Sequence, residues 1–182
     1  MAEVDILTLP VARWSEYRAL RLRALADTPQ AFGASYASNV AYPDDYWRAR
    51  LQAVLDGHSL LLFAERGGEL VGLLGAFWGA AEQAEGVANV IAVFVEPRWR
   101  GQGVAARLLD ALLERLRQLP SVQTAELDVA VEQAAALALY QRAGFEIVMT
   151  RPSLMGDGVE RDEYLLRRAL RLANRVSRSG RA

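Results

Sequence analysis

The sequence contains no cysteine and no lysine, and His58 is its one histidine. Without cysteine the protein can form no disulfide, no thiolate metal site and no covalent intermediate on a cysteine. His58 follows Asp56-Gly57, which indicates a turn, and one histidine is too few for a typical transition-metal site, so we expect no metal. All 21 basic residues are therefore arginine, a bias that we attribute to genomic composition.

Long hydrophobic runs are also absent. No apolar stretch approaches the roughly 18 residues of a membrane-spanning helix, and the first residues lack the pattern of a signal peptide. The formal net charge of −1 gives no reason to expect a nucleic-acid or membrane partner. We therefore expect a cytoplasmic protein. Its 182 residues, of which 52% are hydrophobic, suit one domain with a sizeable core.

Hydrophobic periodicity predicts an α/β domain in which helices and strands alternate. We expect the domain to span residues 1–169, and the arginine-rich residues 170–182 to form a solvated tail. The predicted helices are Arg13–Ala26, Pro43–Leu55, Gly101–Leu119 and Gln133–Ala143. The predicted strands are Val4–Leu9, Ser59–Glu65, Glu69–Trp78, Val87–Val95, Thr124–Val129, Phe145–Met149 and Asp162–Arg167.

One segment suits an anionic ligand, and it lies where the apolar strand Val87–Val95 gives way to a helix. Gly101 and Gly103 have no Cβ atom, so a ligand can approach the backbone closely. The first N–H groups of a helix lack intrahelical partners, and its positive end favours an anion. Arg98 and Arg100 add fork-shaped donors. The segment predicts a phosphate or pyrophosphate site, although a tight turn with two solvated arginines fits the same residues.

Two motifs carry a resemblance to a known family. The segment is neither a P-loop nor a dinucleotide fingerprint. Instead Arg98-x-x-Gly101-x-Gly103 resembles the Gln/Arg-x-x-Gly-x-Gly/Ala signature of the GCN5-related N-acetyltransferase (GNAT) family. The segment from Leu139 to Phe145 resembles that family's Leu-Tyr-x-x-x-Gly-Phe motif, and residues 17–25 and 29–33 look like the opening of some members. The resemblance spans nearly the whole chain.

The resemblance implies a single-domain fold with a mixed, mostly antiparallel central sheet and helices on both faces. It also implies an enzyme that moves an acetyl group from acetyl-coenzyme A to an amine. Tyr140 would protonate the departing thiolate, unless it is a packing residue. The residues that would bind the coenzyme, by pyrophosphate contacts or by pairing with its pantetheine arm, are Val93, Phe94, Val95, Arg98, Arg100, Gly101, Gln102, Gly103, Val104, Ala105, Gln133 and Tyr140.

The sequence departs from the family pattern at three places. Gln133 stands where members often have Asn, and Ala105 where many have Gly. The strand Val87–Val95 lacks the carboxylate that some members use as a general base. An amine attacks a thioester only when it is neutral, so a base is still needed. The carboxylates considered for that role, directly or through water, are Glu82, Glu85, Glu96 and Asp128.

We expect the amine to bind between the first two helices and the loop after Trp78. Aromatic residues are available to line that site, although they also fit a core, and Asn89 is the polar side chain of the central strand. The candidate substrate-binding residues are Phe32, Tyr36, Trp78 and Asn89, with Trp47 beside them.

Because the chain has no cysteine, we expect direct transfer in a ternary complex, with a backbone N–H of the strand stabilising the oxyanion. The acceptor would be a small-molecule or peptide amine, and a homodimer fits many relatives. Two other functions remain open. The first is a sensor that binds acyl-coenzyme A without catalysis. The second is a nucleic-acid-binding protein that uses its C-terminal arginines, an alternative that the net charge disfavours.

Overall fold

The computed structural model describes residues 3–57, 59–79 and 85–171. His58, Glu82 and residues 172–182 lie outside these ranges, so the expectations for them stay predictions. The strands are β1 (Asp5–Leu7), β2 (Ser59–Arg66), β3 (Glu69–Phe77), β4 (Val87–Val95), β5 (Thr124–Ala130), β6 (Glu146–Leu154) and β7 (Glu160–Ala169). The α-helices are α1 (Trp14–Asp27), α2 (Tyr36–Val40), α3 (Asp44–Leu55), α4 (Val104–Gln118) and α5 (Ala134–Arg142).

The seven described strands form one sheet in the order β1-β2-β3-β4-β5-β7-β6. Every neighbouring pair is antiparallel except β4 and β5, which are parallel. A tight turn at Gly67-Gly68 joins the antiparallel pair β2 and β3, whereas the parallel pair β4 and β5 needs a crossover, which α4 supplies. The mixed, mostly antiparallel sheet confirms the predicted fold class.

The sheet is covered on both faces, and strand alternation decides which residues face which layer. Along β2, Leu62 and Ala64 pack with the α4 leucines, whereas Leu61 and Phe63 pack with α1 and α3. The α4 helix buries an apolar stripe at helical spacing, as predicted from its sequence. The buried residues of that stripe are Val104, Leu108, Leu109, Leu112, Leu113 and Leu116.

Four predicted element boundaries or counts differ from the structure. The α4 helix begins at Val104 rather than Gly101, because Gly101 and Gly103 have φ angles of 72° and 79°, outside the helical region. The short helix α2 was not predicted, and the Ser35 side chain caps it by accepting a hydrogen bond from the Ser38 N–H at 3.1 Å. Strand β1 is shorter than predicted, and the β6–β7 hairpin is longer.

The loop between β6 and β7 contacts the segment that follows α1. The Gly156 N–H donates a hydrogen bond to the Phe32 carbonyl at 2.6 Å. A Cβ atom at Gly156 would lie 2.3 Å from the Ala34 carbonyl oxygen, so no other residue fits without a shift. This contact links the β6–β7 hairpin to the segment that follows α1. None of the helices in the described ranges has the length and apolar character needed to cross a membrane.

Candidate functional site

The sheet opens between its two parallel strands. Strands β4 and β5 are in register only at Val87–Asn89 and Thr124–Glu126. Beyond Asn89 the facing edges of the two strands have no strand partner in the described sheet, although β5 stays paired with β7 along its whole length. An unpaired strand edge presents N–H and C=O groups that can bind an extended, amide-bearing ligand.

A β-bulge in β4 lies beside this opening. Along β3 the register passes from Leu73↔Phe94 to Gly75↔Ile91, so two β4 residues lie opposite one residue of β3. Ala92 in the bulge has a φ angle of 61°, and it is the non-glycine residue of the described chain with positive φ. Bulges bend a strand and redirect its side chains and backbone groups, and they are frequent beside active sites. The bulge therefore makes β4 a candidate functional strand.

A cleft of about 650 Å³ fills the opening. It runs from the β4 and β5 edges to the first turn of α4 and to one side of α5. Most of the predicted coenzyme-binding residues line it, together with the predicted acceptor residue Phe32. The lining residues that the sequence predicted are Phe32, Val93, Phe94, Val95, Arg100, Gly101, Gly103, Val104, Ala105, Gln133 and Tyr140.

The glycine turn forms the end of the cleft nearest α4. A Cβ atom on Gly101 or Gly103 would meet no protein atom within 4 Å, so both glycines border open space. No described hydrogen bond uses the N–H groups of Gly101, Gln102 or Gly103. These N–H groups and the N-terminus of α4, a helix of 15 residues, make a concave array of donors. Such an array suits a phosphate or pyrophosphate.

The two arginines of this turn have protein partners. Arg98 pairs with Glu69, and Arg100 pairs with Asp27 while its Nε donates to the Val95 carbonyl oxygen at 2.9 Å. Arg98 does not line the cleft, and neither does Gln102, whose side chain donates to the Arg98 carbonyl oxygen at 2.9 Å. Backbone donors, rather than free guanidinium groups, are therefore what the turn offers to an anion.

Tyr140 lies on the α5 side of the cleft. Its side chain is 5% exposed and packs edge-to-face against Phe145, with ring centroids 6.1 Å apart. Burial raises the pKa of the Tyr140 hydroxyl above its ordinary value of 10.0, because desolvation disfavours the phenolate. The hydroxyl stays protonated near neutral pH and is therefore available as a proton donor.

The candidate bases are separated by the structure. Glu96 lies outside the cleft and forms an ion pair with Arg23 at 2.5 Å. Glu85 is exposed just before β4 and does not line the cleft, and Glu82 is outside the described residues. Asp128 of β5 is the carboxylate among the cleft-lining residues. Both of its oxygens accept hydrogen bonds of 2.8 Å from Arg151.

The predicted acceptor residues do not gather at one place. Phe32 lines the cleft and is 7% exposed. Tyr36 is exposed at the start of α2, and Asn89 lies at the last paired position of β4 and β5. Trp78 packs against the cluster on the α4 side of the sheet, opposite to Phe32. Trp47, which is 1% exposed, belongs to the core between α1 and α3.

Sequence reasoning missed a group of cleft-lining residues because their type is ordinary. They are mostly small or aliphatic, and only their place on the free β5 edge or beside the cleft gives them a role. The strand alternation of β5 was visible, but its pairing partner was not. These residues are Thr28, Ala31, Leu127, Val129, Ala130, Ala135, Ala136 and Leu139.

The fold and the site together suit a class of protein that binds an extended ligand with an anionic group. The free strand edges provide backbone partners for the extended part, and the glycine turn provides donors for the anion. The description of the family model that matches residues 22–145 is "Acetyltransferase (GNAT) family". That match covers more than half of the chain, and the protein belongs to this family.

Individual curated relatives share only limited sequence identity with this chain. The chain is 29% identical over 133 residues to a mycothiol acetyltransferase of Propionibacterium freudenreichii, covering 68% of this chain and 41% of the relative. It is 33% identical over 101 residues to an L-methionine sulfoximine/L-methionine sulfone acetyltransferase of Pseudomonas aeruginosa, covering 54% of this chain and 56% of the relative. The chain thus spans about half the length of these curated relatives, or less.

The fold also matches solved structures. A Salmonella typhimurium protein, yncA, solved with its cofactor acetyl-CoA, superimposes with a TM-score of 0.80 over 94% of this chain and 96% of its own. The two sequences are 18% identical, so this similarity supports the fold alone.

Proposed function

We propose that this protein is an N-acetyltransferase that moves an acetyl group from acetyl-coenzyme A to an amine in a ternary complex. The observation that carries the proposal is the separation of β4 from β5 in a cleft that ends at the glycine turn. Family membership supplies the identity of the transferred group.

The residues of the cleft fit coenzyme A. Its pyrophosphate is an anion, and the N–H groups from Gly101 to Ala105 are the donors that suit it. Side chains at positions 101 and 103 would project into the space that the pyrophosphate needs, and both positions are glycine. The amide-bearing pantetheine arm suits the free edge of β4 at Val93 and Val95, although Arg100 already donates to the Val95 carbonyl oxygen.

The chemistry requires a proton to leave the amine and a proton to reach the thiolate. Tyr140 supplies the second proton, because its hydroxyl is neutral and lines the cleft. Asp128 accepts the first one, directly or through water, since a carboxylate oxygen bound to Arg151 still has a free lone pair. A β4 backbone N–H near the bulge stabilises the oxyanion that forms during transfer. With no cysteine in the chain, the acetyl group passes directly to the amine.

Titration calorimetry with acetyl-coenzyme A tests the proposal. We expect one-to-one binding to the wild-type protein and at least a tenfold weaker affinity for Gly103→Ala, because the new methyl group occupies the pyrophosphate space. A folded protein that does not bind acetyl-coenzyme A would refute the proposal. Binding without turnover on a broad amine panel would instead indicate a sensor of acyl-coenzyme A.

Gly68→Ala is the matched control. Gly68 lies in the β2–β3 turn with a φ angle of 82°, close to the 79° of Gly103, and its Cβ position is equally open. Alanine at either position costs on the order of 1 kcal/mol of folding free energy, because L-residues disfavour positive φ. Equal losses of stability, with a loss of affinity for Gly103→Ala alone, separate ligand contact from backbone strain.

A further inference from the structure

Two arginines without a carboxylate partner lie on the α1 and α3 side of the sheet, close to the cleft. Arg21 of α1 stacks over the Phe32 ring at 4.6 Å, and Phe32 lines the cleft. Arg50 of α3 lies near the Tyr46 ring, 5.9 Å from its centroid. No ion pair in the described part of the chain includes either arginine.

The buried guanidinium of Arg21 lowers the stability of the folded protein. Its Nη1 atom is buried and has no hydrogen-bond partner. Burial lowers the pKa of the Arg21 guanidinium below its ordinary value, Tyr17 and Tyr46 partly oppose this shift, and the positive charge of Arg50 adds to it. Buried charges in proteins are normally paired, so an unpaired one beside a second cation indicates a missing anion.

A second cavity of about 340 Å³ makes Arg50 accessible to a ligand. Arg50 and Ser59 are its polar lining side chains, and Phe77 and aliphatic residues form the rest of the wall. Ile91 of β4 lines both this cavity and the cleft, and it directly precedes the bulge residue Ala92. The two cavities therefore share one wall residue next to the β4 bulge, whereas Arg21 lines neither of them.

From this arrangement we infer that the acceptor is an amino acid or another amino-carboxylic compound, whose carboxylate binds at Arg50 in the second cavity, with Arg21 as a further positive charge beside it. This inference rests on the proposed function. A carboxylate satisfies two guanidinium groups with good geometry. An acceptor with positive charges alone, such as a polyamine, is repelled by the same pair. The donors proposed for the pyrophosphate are the backbone N–H groups of the glycine turn, so the coenzyme phosphates do not need these arginines.

Matched amines test the inference in the intact protein. L-amino acids, their amides and spermidine are assayed with acetyl-coenzyme A. We expect kcat/KM for the preferred acids to exceed that for their amides by at least about 50-fold, because an amide leaves the arginine charge without a carboxylate partner. Arg50→Gln should remove most of this ratio through a higher KM for the acid. Arg48→Gln on the same helix is the control, because Arg48 pairs with exposed Asp45 and lines neither cavity.

Binding without turnover gives a second readout. With coenzyme A present, an acid should raise the unfolding temperature of the wild-type protein, and its amide should not. Arg21→Met should leave the unfolding temperature of the free protein unchanged or raised, since it removes an unpaired buried donor. A clear fall would make Arg21 a structural residue and overturn the inference.

Three further results would overturn the inference while leaving the proposed function intact. The first is that amides or spermidine are acetylated as efficiently as the acids. The second is that neither turnover nor thermal stabilisation distinguishes an acid from its amide. The third is that succinyl-coenzyme A outperforms acetyl-coenzyme A and Arg50→Gln abolishes the difference, which places the carboxylate on the acyl donor. Calorimetry with acetyl-coenzyme A on the same samples separates these results from a failure of the proposed function itself.

Discussion

At the scale of single residues, Tyr140 is the side chain for which a catalytic role and a packing role predict the most different results. Tyr140 lines the cleft and is mostly buried, so Tyr140→Phe keeps the ring and removes only the proton donor. We expect kcat to fall about 100-fold, with coenzyme affinity within a few-fold of wild type. Tyr164→Phe on β7, which lies outside the cleft, should keep full activity. Unchanged kcat in Tyr140→Phe would assign Tyr140 to packing.

The same hydroxyl affects stability at alkaline pH. The folded-state pKa of Tyr140 lies above the ordinary value of 10.0, so its contribution is complete below pH 10 and is lost as the pH rises further. The loss amounts to about 1.4 kcal/mol per pH unit, because the unfolded chain ionises first. Denaturation of Tyr140→Phe between pH 9 and pH 11 should therefore show a shallower decline than wild type.

Asp128 can be tested against a neighbour on its own strand. Asp128→Asn removes the carboxylate of the cleft and should lower kcat/KM by roughly 100-fold or more, most strongly near neutral pH, where the amine carries its proton. Glu126→Gln is the control, because Glu126 pairs with Arg167 and lines neither cavity. Equal activities of the two variants would move the base to another group. The ion pair with Arg151 is partly exposed, so stability should change by under about 1 kcal/mol.

Residue types in the sequence indicated the glycine turn but not what its arginines do. A short motif predicts that Gly101 and Gly103 leave space and free N–H groups. It cannot reveal that Glu69 and Asp27, which are distant in sequence, pair with Arg98 and Arg100. Among the described residues no carboxylate pairs with Arg21 or Arg50, and this is hidden from the sequence for the same reason.

At the scale of elements, β6 is the strand with an open outer edge and exposed apolar side chains. Ile147, Val148 and Met149 are each more than 40% exposed. An exposed apolar edge favours pairing with another chain. The homodimer expected from the sequence therefore remains our proposal, with antiparallel pairing of two β6 edges as its geometry. Light scattering should give about twice the chain mass of 20.0 kDa.

Two substitutions that introduce a charge distinguish this pairing from nonspecific hydrophobic association. Val148→Asp on β6 should yield monomers with an unchanged unfolding temperature. Leu55→Asp, at the 59% exposed end of α3, should leave the dimer intact. A monomeric wild-type protein at micromolar concentration would exclude the dimer.

Elements with a buried stripe were predictable, and elements without one were not. The apolar run of β4 predicted that strand with its observed bounds, and the leucine spacing predicted α4 apart from its first turn. Every residue of β6 except Ser153 is exposed, so no alternation marks its continuation from Met149 to Leu154. Pro152 also argues for an early end, although proline is tolerated on an edge strand. The five residues of α2 are too few for a periodic signal.

At the scale of the whole molecule, the cleft depends on contacts that local patterns do not contain. The family resemblance implied the sheet, but the sequence could not show that β4 and β5 separate after three paired positions. The bulge at Ala92 is equally invisible, since nothing about an alanine predicts positive φ. Motifs located one end of the cleft, and the fold determined its length and its second wall.

The glycine at position 156 has a consequence for the dimensions of this cleft. Phe32 is held by the Gly156 N–H on one side and forms part of the cleft wall on the other. A single methyl group at position 156 would act as a wedge against the Ala34 carbonyl, pushing the β6–β7 hairpin away from the segment after α1. Gly156, which does not itself line the cleft, thus helps to fix the position of a wall residue and with it the width of the cleft.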